Sequence, residues 1–155
     1  MNLVKAKIED VYKIISIQTD CFIEFIDRYQ DTFNPTNESA FSIREYITNN
    51  NSDIYFIQHE DKDIGVMKIE KIEEGTYRID DFGILPTYRD QHLGTQAMLS
   101  LFKLYEDVHT WRLATMLEEK RNLHFYEKLG FKRMEDIIPI SITATMTMIE
   151  YELKK

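Results

Sequence analysis

Cysteine occurs only once in the 155 residues, at position 21, so no intramolecular disulfide can form and a reducing compartment is the natural setting. The neighbours Ile17, Phe22 and Phe25 make Cys21 a buried helical thiol rather than a nucleophile. Glycine and proline are sparse, at five and three, and no repeat, low-complexity tract or linker interrupts the chain. One domain over residues 1–155 is expected, long enough to bury roughly two-thirds of the surface that its unfolded chain exposes. No span approaches the roughly 18 apolar residues of a membrane helix, and residues 1–10 alternate charged and apolar side chains instead of forming a signal core. The expected location is therefore cytoplasmic, away from any membrane. Lysine and arginine number 19 against 27 acids, a net charge of −8. That balance argues against a nucleic-acid footprint and suits either solubility or a cationic partner. The histidines, His59, His92, His109 and His124, show no metal-ligand spacing such as His-Glu-x-x-His, and no Gly-x-Ser-x-Gly elbow marks a serine hydrolase.

What is present is a succession of strand and helix periods in a chain that is 43% hydrophobic and 30% charged, the composition of a folded domain. Residues 3–7 predict a short strand. Val11, Ile14, Ile15, Gln18, Cys21, Phe22 and Phe25 then recur at helical spacing, behind Glu9 and Asp10 in the first turn. Asn34-Pro35 breaks the chain before a second, shorter helix carrying Ala40, Ile43 and Ile47 on one face. Residues 54–57, a turn at 61–63 and residues 64–69 predict a hairpin, and Gly75 separates it from a strand over 77–85. Ala97, Met98, Leu101, Phe102, Leu104, Tyr105 and Val108 form the apolar arc of a helix that lies against a sheet. Residues 111–116 alternate as a strand, parallel to the one before that helix if the connection is a right-handed crossover. Residues 122–129 predict a short helix ended by Gly130, and residues 131–135 and 144–153 two closing strands.

The chain is organised around residues 80–98. Asp80-Asp81-Phe82-Gly83-Ile84-Leu85 reads as a strand, Pro86 begins a turn, a polar loop runs through Arg89-Asp90-Gln91-His92, and a helix starts at Leu93-Gly94-Thr95. The unpaired N–H groups of a helix N-terminus, with the macrodipole behind them, form an anion site. A Walker loop would end in Gly-Lys-Ser/Thr, whereas this one has Gly94-Thr95-Gln96. A dinucleotide fold would need Gly-x-Gly-x-x-Gly after the first strand; here only Gly94 is present, with four strands before it.

A second constellation follows, Asn122-Leu123-His124-Phe125-Tyr126-Glu127-Lys128-Leu129-Gly130-Phe131. With it the chain resembles the GNAT superfamily of acetyl-CoA-dependent N-acyltransferases. The loop from Arg89 to Thr95 is similar to that family's pyrophosphate loop, Arg/Gln-x-x-Gly-x-Gly/Ala after a strand and proline, and Tyr126-Glu127-Lys128-Leu129-Gly130-Phe131 to its Tyr-Glu-Lys-x-Gly-Phe signature. The pair, with a helix and a strand between, is more specific than either motif alone. The resemblance, close over residues 77–135, implies an α/β (α+β) fold: a mixed, mostly antiparallel sheet of six to seven strands, flanked by about four helices and splayed between strands 4 and 5. It implies that the backbone of Phe82, Gly83 and Ile84 pairs with the pantetheine arm, and that the loop Arg89, Asp90, Gln91, His92, Leu93, Gly94 and Thr95 binds the cofactor, with the backbone N–H groups of Gln91 to Thr95 holding the pyrophosphate. Asn122 and Tyr126 complete the implied acetyl-CoA site. Two positions depart from the family. His92 stands where the first loop glycine usually sits, and Glu119 where many members carry asparagine.

Acetyl transfer to an amine needs a base for the amine and an acid for the leaving thiolate. By resemblance Tyr126 is the acid. Asp80 and Asp81 lie on the strand that leads to the site, and strand alternation lets only one face it; Asp81 is the candidate base, with Glu70 and a water chain as rivals. Tyr29, Phe33, Phe41 and Tyr46, with Glu24, Asp27 and Asp31, lie in the segment that overhangs the acceptor in the resembled fold, where a cationic amine would suit them. The expected partners are acetyl-CoA and an amine-bearing acceptor, with no metal and no nucleic acid, bound by a monomer or homodimer. The other reading is a non-catalytic module of the same fold that senses acyl-CoA or docks a protein.

Overall fold

The computed structural model describes residues 1–31 and 33–155. Strands β1 (Asn2–Lys5), β2 (Ser52–His59), β3 (Lys62–Glu73), β4 (Thr76–Ile84), β5 (Thr110–Met116), β6 (Lys132–Arg133), β7 (Ile140–Thr143) and β8 (Met146–Lys154) form one sheet in the order β1-β2-β3-β4-β5-β8-β6, with β7 also on β8. Helices α1 (Val11–Phe22), α2 (Glu24–Tyr29) and α3 (Ala40–Thr48) precede the β2–β4 meander, α4 (Leu93–Leu104) connects β4 to β5, and α5 (Lys120–Lys128) follows β5. Every pairing is antiparallel except β4 with β5, which is parallel as a crossover through α4 requires. Among the described residues no helix is long and apolar enough to cross a membrane.

Among the described residues the sheet has eight strands and there are five α-helices, against an expected six to seven and about four. The unexpected strand is β7, four residues long and too short for a period to be read, while β6 keeps two residues of the strand expected over 131–135. The extra helix comes from a break after Phe22. The apolar stripe continues to Phe25, but the helix restarts at Glu24 and closes on a left-handed Gln30. The hairpin turn falls at Glu60 and Asp61, both with positive φ (51° and 62°), so that Lys62 and Asp63 already pair with His59 and Gln58.

Alternation along the strands sorts side chains into two cores. Ile57, Met67, Ile69, Trp111, Leu113 and Tyr151 pack under α4 and α5, while Ile54, Phe56 and Val66 pack against Val11, Ile14, Cys21 and Ile43 of α1 and α3. Cys21 is fully buried in α1, as the sequence reading expects of a buried helical thiol, and burial pushes its thiol up to about 12. Gly130, at φ 103°, takes the expected cap position: its N–H donates to Glu127 and that of Phe131 to Tyr126.

Candidate active site

Strands β4 and β5 pair only where Thr76, Tyr77 and Arg78 meet Thr110, Trp111 and Arg112. Beyond that they part, and a cavity of about 460 Å³ opens between the end of β4, the N-terminus of α4, α5 and the overhanging end of α1. Phe82, Gly83, Ile84, Arg89 and Asp90 line it, and so do His92, Leu93, Gly94, Thr95, Asn122 and Tyr126. Two candidate residues lie outside this lining: Gln91, whose side-chain amide donates to the Thr87 carbonyl (3.2 Å), and Asp81.

A bulge explains the position of Asp81. Val66 pairs with Gly83 and Lys68 with Asp80, so Asp81 and Phe82 together stand opposite Met67. Asp81 has φ 47°, a left-handed backbone that costs a non-glycine residue about 1–3 kcal/mol. The extra residue turns Phe82 toward α5, where its ring stacks on Phe125 (6.0 Å, 25°), and turns the Asp81 carboxylate to the opposite face, 2.8 Å from the Lys68 ammonium. Next to the bulge, Gly83 lets α1 approach closely. A Cβ there would stand 2.6 Å from the Phe22 ring and 2.9 Å from the Cys21 Cβ.

At the N-terminus of α4 the loop uses two left-handed residues, Asp90 (φ 62°) and His92 (φ 61°). His92 therefore takes the conformation a glycine would favour, at a cost. No side chain caps the helix, and the first helical bond is from the Gln96 N–H to the His92 carbonyl (3.2 Å). The N–H groups of Leu93, Gly94 and Thr95 thus have no intrahelical partner. The Arg89 side chain does not join them. It donates to the carbonyls of Ile84 (3.1 Å) and Cys21 (2.8 Å) and pairs with Glu24, clamping β4, α1 and α2 together. Asp90 pairs with Arg121 of α5.

Tyr126 is 9% exposed and packs edge-on against Phe125 and Phe131. Burial raises its pKa, so the phenol keeps its proton at neutral pH. Among the described residues no protein group hydrogen-bonds this hydroxyl, which leaves it available at the cavity wall. Glu119 is absorbed by α2: it accepts from Arg28 (2.9 Å) and from the Tyr29 hydroxyl (2.6 Å).

The proposed acceptor segment does not converge on one pocket. Phe33 and Phe41 are 77% and 70% exposed, Glu24 is held by Arg89, and the buried Asp31 accepts from the Phe33 N–H (3.0 Å). Tyr46 instead sits beside Lys68, whose ammonium lies 5.2 Å from its ring centroid. Lys68 is a residue that the sequence reading missed. It is 3% exposed and is held by Glu38 as well as Asp81. The signal was there: one charge inside the apolar run Ile64-Gly65-Val66-Met67-Lys68-Ile69. Asp80 points to the same face and pairs with Arg78 (3.2 Å), which forks onto Glu150 (3.0 and 3.1 Å). Burial raises the pKa of Asp80.

The sequence model of the acetyltransferase (GNAT) family matches residues 11–131. A relative in Bacillus subtilis, the uncharacterized protein YrkN, is 32% identical over 85 residues, covering 53% of this chain and 45% of its own length; the chain thus spans about half of the curated relative that it matches. Among solved structures, the PaiA N-acetyltransferase of Thermoplasma acidophilum in complex with coenzyme A is similar with a TM-score of 0.78 at 16% identity, over 99% of this chain and 98% of the other. The spermidine N-acetyltransferase of Vibrio cholerae, in complex with CoA and spermine, follows at 0.76 and 14%, over 99% and 94%. At such identity the likeness is one of fold.

Proposed function

The chain belongs to the acetyltransferase (GNAT) family, and on that premise we propose that residues 1–155 act as one domain that moves the acetyl group of acetyl-CoA to an amine by direct attack, both substrates bound together. The observation that carries this reading is the meeting, in one cleft, of the uncapped N-terminus of α4 and the buried phenol of Tyr126. The residues present fit the co-substrate. Free N–H groups at Leu93, Gly94 and Thr95 suit a pyrophosphate, with the loop Arg89, Asp90, Gln91 and His92 setting their direction. The parted edge of β4 at Phe82, Gly83 and Ile84 offers backbone groups to an amide-bearing arm, and Asn122 and Tyr126 close the opposite wall.

In the reaction the amine nitrogen attacks the thioester carbonyl carbon and the carbon–sulfur bond breaks. We assign the amine's proton to Asp81, on the Lys68 face of β4 and outside the lining of the cleft, and the Tyr126 hydroxyl gives a proton to the departing thiolate, leaving an amide and free thiol. Acids outnumber bases on that face: Glu70, Asp80, Asp81 and Glu150 stand against Lys68 and Arg78. We take this as support for a cationic amine. The test is thiol release from acetyl-CoA across a panel of mono-, di- and polyamines and peptide N-termini. Release with a cationic amine supports the reading; acetyl-CoA binding with no release from any amine replaces it by the non-catalytic one.

A further inference from the structure

We infer that Lys68 is a positioning residue for acyl transfer, holding Asp81 at the β4 bulge so that the carboxylate and the Phe82 backbone keep their places on the two sides of the reacting carbonyl. This rests on the reaction proposed above. Three observations meet at this residue. Lys68 stands on β3 directly beside the bulge, paired with Asp80, where two residues of β4 are fitted against Met67. Its ammonium is withdrawn from water, yet it is given two carboxylates, Asp81 at 2.8 Å and Glu38, and the face of the Tyr46 ring. The residue that it grips is itself strained, Asp81 at φ 47°.

A strained residue persists only if its surroundings over-determine it. The ladder cannot supply that restraint at Asp81, because the bulge removes a regular partner there. The restraint on its side chain is the ion pair to Lys68, which draws the carboxylate toward α3 while Phe82 is drawn to Phe125 on the other face. Glu38 completes the anchorage. It follows the turn at Pro35–Asn37, directly precedes the Ser39 cap of α3, and also accepts from Ser42 (2.7 Å). Burial works against the ammonium, but Asp81 and Glu38 outweigh it and the net shift of the Lys68 pKa is upward, so the grip is intact at neutral pH. Asp81 is bound through one oxygen and its side chain stays 31% exposed, which leaves the second oxygen for the amine.

The test compares Lys68→Met, which keeps length and removes the charge, with Lys68→Arg, which returns a cation. For Lys68→Met the expected result is a kcat about 100-fold lower, as for a misplacement of about 1 Å, with the KM for acetyl-CoA within about threefold. Lys68→Arg recovers at least about tenfold of that loss. In the free protein, hydrogen exchange in residues 80–85 of Lys68→Met speeds up ahead of the rest of the sheet. Should Lys68→Met fail to fold, Glu38→Gln/Lys68→Met, which removes the buried charge together with one partner, is read in the same way. Wild-type kcat in the folded variant overturns the inference. So does a fall in kcat matched by an equal rise in KM, or exchange at 80–85 that stays in step with the sheet. If the wild type itself turns over no amine, the reaction fails as a reading and the exchange result alone decides whether Lys68 holds the bulge.

Discussion

At the N-terminus of α4, which lines the cleft, the groups offered to a ligand are backbone N–H donors at Leu93, Gly94 and Thr95, whereas on the α3 face of the sheet, outside that lining, side chains are arranged around one buried lysine. The first region depends on path rather than residue identity. His92 takes φ 61° and Arg89 turns its guanidinium inward to Glu24, while the N–H groups of Leu93, Gly94 and Thr95 stay without intrahelical partners. The second region depends on identity. Lys68, Asp81 and Glu38 satisfy one another, and a buried charge left without its partner is costly.

The largest expected effect lies at the phenol that faces the cavity. Tyr126→Phe should lower kcat about 100-fold with the Kd for acetyl-CoA within about twofold, read by thiol release and calorimetry. Unchanged turnover would remove Tyr126 as the acid. The raised pKa of this phenol also sets a limit on the pH profile: the alkaline limb that reports its loss of a proton should lie above 10 and vanish in Tyr126→Phe.

Next comes packing at the bulge. Gly83→Ala places a Cβ 2.6 Å from Phe22 and should cost about 1–3 kcal/mol in denaturant unfolding. Gly94→Ala at the N-terminus of α4 meets Phe125 only at 3.4 Å and should change stability by no more than about 1 kcal/mol. Equal costs would break the contrast between the two regions.

Smaller still is an alkaline loss of stability. The Lys68 pKa is raised above its ordinary 10.5, so its stabilisation is present below that value and is lost as pH climbs through the raised one. Tm should fall more steeply above pH 10.5 in the wild type than in Glu38→Gln/Lys68→Met. The smallest effect is expected for His92→Gly. Relief of the left-handed strain is offset by glycine's flexibility, so stability should move by less than about 1 kcal/mol and acetyl-CoA should still bind.

The same contrast explains what could be read from sequence. Helix and strand periods, the Pro86 turn and the pair of motifs around Gly94 and Tyr126 are local, so the parallel β4–β5 step, the helix entered at Leu93 and the Gly130 cap were legible. The bulge at Asp81 was not, because it arises from register between strands: alternation lets only one of Asp80 and Asp81 face a given side, and the bulge turns both to the side of Lys68. The roles of Arg89, Glu119 and Lys68 depend on partners 65, 91 and 30 residues away, at Glu24, Arg28 and Glu38, which no local pattern encodes.

The most direct test of the central claim, that the cleft between β4 and β5 holds acetyl-CoA, is a calorimetric titration of the wild-type chain with acetyl-CoA. The account predicts saturable one-to-one binding and a Tm that rises with ligand concentration. No heat of binding and an unchanged Tm at saturating acetyl-CoA would contradict it.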